Sequence, residues 1–575
     1  MALNQVSPGI TVTEIDLTTS VPAFGVNTRG AISGAFKWGP ALSATPVTSE
    51  VELVSKFGAP DTDTANVFFT AASFLAYSTD LYVSRANATG MLNATANADV
   101  GTTTSGLYIP NETYYTSNTV YLNNGATEAP NVAFIARYAG AKGNSLEISL
   151  CPSAAAFTTW VHKGIFDSAP GTSTYAEGKN SANDEMHIAV VDRGGLFSGI
   201  PGTVLERFGY VSKASDARTD DGTINYYKEV LLNKSKYILW VNHPTETTTT
   251  HWGNTAVSTA GAFGSGSQNV TVRFINGADG SVQAANRIAG YNVFADKENI
   301  DIDLLIGADS TQTAGVSNAV LEIATTRKDC VAFVSPTFGE TFGNDPATAI
   351  KNRIESYDAY RSSYGVMDSG WKYMYDKYND RYRWVPLNGD VAGLCARTDR
   401  DRDPWYSPAG FSRGGIKNVI KLGFNPKKAE RDTLYKAGVN PIISLPGEGV
   451  VLFGDKTMIG KPSSFDRINV RRLFITLEKA VERAARASLF EFNDEFTRSQ
   501  FVSLVEPFLR TVQGRRGIYD FRVVCDETNN PPEVVDNNEF VGDIYIKPAR
   551  SINFIQLNFV AVKTGVDFKE VVGKF

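Results

Sequence analysis

Several stretches of this 575-residue chain gather side chains of the kind that bind or catalyse. Gly449-Val450-Val451-Leu452-Phe453-Gly454-Asp455-Lys456-Thr457 has almost the spacing of a phosphate loop. Such a loop needs flexible backbone with free N–H groups. Here Asp455 sets a carboxylate between glycine and lysine, and Val450 to Phe453 is an apolar strand, so the stretch predicts strand and turn and no nucleotide site. Asp399, Asp401 and Asp403 imitate the start of a calcium loop, but Pro404 stands at the glycine turn and Gly410 at the bidentate glutamate. A solvated charged loop is the expectation there. His162, His187, His243 and His251 share no zinc-like spacing with one another or with cysteine. No Gly-x-Ser-x-Gly elbow stands at a strand-to-helix turn. The tyrosine-rich run from Trp371 to Trp384 could stack sugars or bases, but the alternation of Lys372, Asp376, Lys377, Asp380 and Arg381 opposes a groove of one sign. Structural packing is expected instead. The residues thus assign no catalytic group, cofactor or metal.

Composition agrees with that result. The hydrophobic share is 42% and the charged share 20%, which is ordinary for a soluble protein of roughly three to five domains. A net charge of −6 from 55 basic and 61 acidic side chains gives no general attraction to nucleic acid or membrane. The N-terminal MALNQVSPGITVTEID has neither a basic leader nor an apolar core, and no run reaches the roughly 18 apolar residues of a membrane span. Cys151, Cys330, Cys395 and Cys525 are widely scattered, three of them in apolar strand-like runs, and are expected to be buried free thiols.

Elements follow from periodicity. Ile10 to Leu17 predicts an extended arm in which Ile10 and Val12 share one face while Ile15 and Leu17 share the other. It is either an edge strand of its own domain or a strand for another chain's sheet. Ala31–Phe36 and Asp80–Arg85 predict strands around two helices, Ser49–Phe57 with Ser49 as N-cap and Asp63–Tyr77. Ala88–Pro130 turns to Thr, Asn, Gly and Ala and predicts a small outer β insertion or loop. Strands are expected at Val132–Tyr138, Leu146–Leu150, His187–Asp192, Ile200–Phe208 and Tyr237–Asn242. The Thr/Gly/Ser-rich Thr245–Gln268 is expected to add no core. Ile302–Ile306, Gly315–Thr326 and Val331–Ser335 read as a βαβ unit with a parallel strand pair.

The most regular stretch is Ser463 to Val562, which predicts two helices and then at least three strands. On Asn469–Leu489, at about 100° per residue, Leu473, Phe474, Leu477, Val481, Ala484 and Ser488 gather on one arc. Arg472, Lys479, Arg483 and Arg486 gather nearly opposite. Such a helix has one face for its own core and one for water or an acidic partner.

Long segments then carry a resemblance: SPGITVTEID, FKWGPA, VELVSKFGAP, DLYVSRA, YDKYNDRYRWVPLNGDVAGLCARTD, SPAGFSRGGIKNVIKL, VLFGDKT, FDRINVRRLF, YDFRVVCDETNN and PARSINFIQLNFVA. Together they resemble the tail sheath proteins of contractile-tail bacteriophages of the T-even type. Only Ala88–Pro130 departs, being shorter than the outermost domain of the large relatives. The resemblance implies an α+β multidomain fold: an α/β core, inserted β-rich outer domains and an α+β C-terminal domain that exchanges strands with neighbours. The expected division is an arm at 1–20, a central α/β domain at 21–87 plus 330–462, a small outer insertion at 88–130, an outer α/β domain at 131–329 and a C-terminal assembly domain at 463–575. It implies a non-enzymatic subunit, made in the host cytoplasm, that forms stacked six-fold rings around a tail tube in the virion. Its partners would be other copies of itself, the tube, the baseplate and the tail terminator, with no nucleic acid and no direct membrane insertion. On this reading Arg472, Lys479, Arg483 and Arg486 face an acidic tube, and Ile10, Val12, Ile15 and Leu17 form an inter-subunit strand. Phe521, Val523, Ile544, Ile546, Ile555, Leu557 and Phe559 belong to a sheet that accepts or donates strands. A tail-tube or baseplate protein and a carbohydrate-binding adhesin are the alternatives.

Overall fold

A computed structural model describes residues 28–97, 107–117, 132–244, 249–259, 261–264, 266–312 and 315–553. Ile10, Val12, Ile15, Leu17, Ile555, Leu557 and Phe559 lie outside the described residues. The chain divides into a larger unit, Phe24–Pro404 with Pro408–Lys479, and a smaller one that contains Trp405–Ser407 and the chain from Ala480 onward. No helix among the described residues is long and apolar enough to cross a membrane.

The larger unit opens with strand β1 (Gly30–Gly34), edge strand β2 (Thr45–Val47), helix α1 (Glu50–Phe57), helix α2 (Ala65–Leu75) and strand β3 (Leu81–Arg85). Ser49 caps α1 as expected, its hydroxyl accepting the Glu52 N–H at 3.2 Å, and Gly58 ends the helix at a left-handed φ of 82°. α2 is apolar almost all round and is buried almost all round.

The chain then leaves the central sheet. Strands β4 (Thr95–Asn97), β5 (Val132–Ala136), β6 (Leu146–Cys151), β7 (Glu185–Asp192), β8 (Thr203–Ser212), β9 (Ile238–Trp240) and β10 (Val270–Ile275) form an antiparallel outer sheet in the order β9-β5-β4-β10-β6-β7-β8. Helix α3 (Glu112–Ser117) buries Tyr115, whose hydroxyl donates to the Trp240 carbonyl at 2.7 Å. The expected separate insertion at 88–130 is therefore corrected where it is described: β4 is a strand of the outer sheet, and α3 is fastened to it through Tyr115. Its polar composition misleads because buried Asn93 does core work, donating to the Ile109 and Ala136 carbonyls. Thr245–Gln268 is corrected as well, since Trp252, Ala256 and Phe263 are buried. Trp252 packs edge-on against Tyr227 of helix α4 (Tyr227–Lys234) and donates to the Gly264 carbonyl at 2.7 Å. Three apolar anchors spread through a polar loop leave no periodicity to read.

The two segments linking the sheets pair with each other through bridges Thr89–Ser281 and Leu92–Ala278. Buried Arg85 braces this neck by donating to the Gly39 and Ala139 carbonyls. Beyond it, helix α5 (Ala284–Asn292), strand β11 (Leu304–Ile306) and helix α6 (Val316–Arg327) return to the central sheet, so the outer domain does not extend to residue 329 as expected. Strand β12 (Val331–Val334), helix α7 (Pro346–Ser356) and strand β13 (Gly365–Asp368) come next. The hairpin β14 (Trp371–Asp376) and β15 (Arg381–Pro386), helix α8 (Asn388–Asp401) and strand β16 (Lys421–Leu422) follow. Helix α9 (Lys428–Ala437), strand β17 (Val439–Asn440) and the hairpin β18 (Ile442–Leu445) and β19 (Gly449–Leu452) continue the unit.

The central sheet runs β17-β13-β12-β11-β1-β3-β2 and is parallel except for β2. Its strands are apolar on both faces because both are covered. Ile32, Leu304, Ile306, Phe333 and Val366 face α2 and α8, while Ala31, Leu305, Ala332, Val334 and Met367 face α6, α7 and α9. α8 approaches α2 closely through Gly389 and Gly393, where a Cβ would lie 2.4 Å from the Thr70 carbonyl oxygen and 2.4 Å from the Tyr77 ring. This is the physical use of the NGDVAG motif.

Helix α10 (Ile468–Ala485) begins in the larger unit, so the smaller unit starts later than the expected Ser463. The smaller unit packs helix α11 (Glu495–Gly514) on an antiparallel pair, β20 (Ile518–Val524) and β21 (Asp543–Pro548). Phe501, Val505, Phe508, Leu509 and Val512 make the buried stripe of α11, and Asp494 caps its start by accepting the Thr497 N–H at 2.8 Å.

Candidate functional site

α10 is the element on which sequence placed a basic stripe. The structure divides that stripe in two. Arg472 is buried and forms a bidentate ion pair with Asp399, with Nη1 to Oδ1 at 2.7 Å, and the Thr28 hydroxyl donates to the same carboxylate. Burial alone would lower the Arg472 pKa; the Asp399 carboxylate more than offsets it and holds the guanidinium charged. Lys479 Nζ is clamped by Asp301 at 2.8 Å, Asp303 at 2.7 Å and the Ile302 carbonyl at 2.8 Å. Arg471, about a quarter-turn round the helix from both, lies over the rings of Tyr364 and Phe465 at 4.2 and 3.9 Å.

Arg472 and Lys479 are thus corrected from tube-facing to internal. They fasten α10 to α8 and to the segment before β11. Their charged arc faces carboxylates of its own chain, which a helical wheel cannot report. The matching correction falls on Asp399, which lies in the last turn of α8 and is buried, not in a solvated loop. Arg483 and Arg486 are exposed, and Arg486 meets Glu482 at 3.2 Å one turn back.

In open α/β sheets, ligands bind at the carboxyl ends of the strands near the point where strand order reverses. Here that edge is filled by the chain's own side chains. Tyr291 donates to the Ile306 carbonyl at 2.9 Å, and Arg287 pairs with Asp309. Asn388 donates to the Ala308 carbonyl at 2.7 Å and to Ser335 Oγ at 2.9 Å, and Ser335 donates to Asp368 at 2.6 Å. Burial pushes the Asp368 carboxyl up to about 7. Lys372 and Asp390 form a fully buried pair at 2.8 Å, joined by the Tyr77 hydroxyl at 3.1 Å. The near-phosphate loop is the β19 strand and its turn, with Asp455 bound to Arg467 at 2.9 Å. Among the described residues no group of three His, Cys, Asp or Glu is placed to hold a metal ion. All four cysteines are free and buried, as the apolar runs implied.

Among the described residues, three surfaces present unpaired strand edges or exposed aromatic side chains. In the smaller unit, Phe521 pairs with Ile546 and Val523 with Ile544 on one half-buried face of the β20–β21 sheet. The other face carries a 3.2 Å ion pair between Asp520 and Lys547. Among the described residues each of these strands is paired along one side only. Also in this unit, the α10–α11 loop and the first turn of α11 expose Leu489, Phe490, Phe492 and Phe496. Sequence reading passed over them because no period links them. In the larger unit, the β14–β15 hairpin turns Tyr373, Tyr375, Tyr382 and Trp384 to one face, with Tyr375 and Tyr382 exposed. The packing expected of this run covers only part of it.

Comparison with known proteins bears on these surfaces. Residues 283–458 match the phage tail sheath protein central domain, and residues 460–561 match the phage tail sheath C-terminal domain. The tail sheath protein of Vibrio phage KVP40 is 35% identical over 688 aligned residues, covering 99% of each chain. That of Enterobacteria phage T4 is 34% identical, again with 99% of each chain covered. In fold, the chain is similar to the crystal structure of a sheath tail protein from Listeria innocua, with TM-score 0.52 and 12% identity, covering 91% of this chain and 95% of that one. A sheath tail protein from Desulfitobacterium hafniense gives a TM-score of 0.51 at 13% identity, covering 94% and 100%.

Proposed function

The chain belongs to the phage tail sheath family, and from that premise we propose that its copies stack as hexameric rings around a tail tube and are tied to one another by exchanged strands. As a member it is a structural subunit of a contractile sheath and a component of the virion tail, so the tail-tube, baseplate and adhesin alternatives give way. Contraction of the stack would drive the tube through the host envelope, and assembly would take place in the host cytoplasm. The tube, the baseplate and the tail terminator are the proposed partners beside other copies.

One observation supports strand exchange most directly: β20 and β21 form a sheet of two strands, covered on one face and paired along one side each among the described residues. Two strands alone are marginal in water, so added strands would stabilise this unit. Ile10, Val12, Ile15 and Leu17 of one neighbour, and Ile555, Leu557 and Phe559 of another, are the proposed strands. Ordering such an arm costs about 1–2 kcal/mol per residue. Hydrogen bonds return about 0.5–1.5 kcal/mol each and buried apolar side chains about 1.5–3. A single arm would therefore hold weakly, while many arms in a closed ring hold through high effective concentration.

Deleting Met1–Ser20 tests this. The truncated chain should melt as the full chain does and form no long tubes by electron microscopy. Tubes of normal length from the truncated chain would end the proposal.

A further inference from the structure

Two exposed apolar surfaces of opposite charge remain without an occupant. The first is the α10–α11 loop of the smaller unit with the first turn of α11. Leu489 is 63% exposed, Phe490 106%, Phe492 82% and Phe496 75%. Phe490 is held at φ 69°, a left-handed conformation that non-glycine residues seldom adopt, with its ring in solvent. The charged side chains from Ala487 to Thr497 are Glu491, Asp494 and Glu495, with Arg486 before them and Arg498, which donates to Asn493, after them, so the segment is acidic in balance without being of one sign. Single exposed apolar residues need no explanation, but four large ones within eight positions do.

The second surface is the aromatic face of the β14–β15 hairpin in the larger unit. Tyr375 and Tyr382 lie 5.4 Å apart, Tyr382 stacks on Tyr373 at 5.5 Å, and Tyr373 meets Trp384 at 4.7 Å. Phe342 and Phe338 extend the row. Lys421 lies over Tyr373 and Trp384, and Lys377 and Arg381 flank the exposed end. Asp380 accepts the Tyr375 hydroxyl, and Lys377 reaches Glu50 at 3.2 Å, so the rim is basic in balance without being of one sign.

We propose that the acidic aromatic loop of one copy seats on the basic aromatic hairpin of a second copy. The inference rests on the reading that this chain polymerises. Charge complementarity selects the occupant: an acidic aromatic segment is what a basic aromatic row attracts, and in a homopolymer each copy supplies one of each. The contact joins two different patches, so it propagates from copy to copy and does not close on itself as a two-fold dimer. Offset stacking of Phe490 and Phe492 on the tyrosine row supplies the affinity, and the charges supply register.

The test uses the full chain. Phe490→Ala with Phe492→Ala should leave the monomer's melting temperature unchanged and raise the concentration needed for polymerisation by about tenfold or more. Glu491→Lys with Glu495→Lys, and separately Lys377→Glu with Arg381→Glu, should each weaken polymerisation, and mixing the two should restore it. A short bismaleimide should join Phe492→Cys to Tyr382→Cys only when both variants are in one polymer. If the wild-type chain polymerises but neither the cross-link nor the charge rescue occurs, the docking is wrong and the sheath reading stands. A cross-link from the loop to tube protein, or a bound oligosaccharide on the hairpin that leaves polymerisation intact, overturns it too. If the wild-type chain forms no polymer, the self-assembly reading falls and takes the docking with it.

Discussion

Replacing Arg472 by alanine separates the two roles that a basic residue on α10 could have. In the structure its guanidinium is buried against Asp399, and its removal would leave that carboxylate in the core with only the Thr28 hydroxyl. Orphaning one member of a buried pair costs about 3–5 kcal/mol. For a unit of about 450 residues the unfolding entropy is near 1 kcal/mol per kelvin, so the larger unit should melt roughly 3–5 °C lower. Arg472→Met combined with Asp399→Leu should recover most of that loss, because two apolar side chains need neither charge nor partner. Differential scanning calorimetry of the monomer reads this transition, and 0.5 M salt should leave the Arg472→Ala loss almost unchanged because buried pairs are poorly screened. Arg483→Glu with Arg486→Glu gives the opposite pattern. Both side chains are exposed, so melting should hold, while loading onto tail tube should fall. An Arg472→Ala chain that melts like wild type yet fails to load tube would refute the internal assignment.

Three further expectations rest on burial. Asp368, held near 7 against an ordinary 3.8, binds its proton more tightly when folded, so stability should fall as pH rises from about 4 to 7 and level off above. Calorimetry across pH 5–7 should show wild type losing about 1.4 kcal/mol per pH unit more than Asp368→Asn; parallel lines would exclude the assignment. Trp252→Ala should cost about 3–5 kcal/mol and open 249–264 to protease, and an unchanged cleavage rate would return that loop to the surface. The four thiols should react with maleimide only after denaturation, since burial pushes Cys330 and Cys395 up to about 12 and Cys151 to about 11; rapid native labelling of any of them would contradict this.

What could be read from the chain followed the range of the interaction involved. β11 and β12 were legible because each is a short apolar run, LLI and VAFV, of the kind that burial on both faces requires, whereas β13 (GVMD) and β17 (VN) carry too little apolar pattern to read. Ser49 was legible because its hydroxyl acts three residues away. Asp399 and Arg472, 73 residues apart, were legible only as separate charges, one assigned to a loop and the other to a surface. The domain boundary near residue 329 failed for the same reason. Only pairing of β11 with β1, across some 270 residues, reveals that the segment rejoined the first sheet. The aromatic hairpin shows the limit from the other side. Its aromatic density led to an expectation of packing, but which rings meet solvent depends on what surrounds them: Tyr373 and Trp384 pack with Phe342 and Lys421, while Tyr375 and Tyr382 are left exposed.

The carboxyl edge of the central sheet explains how this architecture can serve a structural polymer. Three neighbouring strands, β11, β12 and β13, deliver Ala308, Ser335 and Asp368 to the place where related folds leave a crevice. In this chain Asn388, at the start of α8, ties the first two together, and Ser335 carries the link to the third. Gly389 and Gly393 then let α8 settle onto α2 with no room between. The Arg472–Asp399 pair fixes the far end of α8 to α10, and Lys479 fixes α10 to the segment entering β11. Polar groups that another α/β protein would spend on a ligand here close a circuit from sheet to helix to helix and back to the sheet. Such a circuit resists deformation because moving one member breaks the hydrogen bonds of the next. A structural subunit of a contractile sheath gains more from that stiffness than from an open cleft.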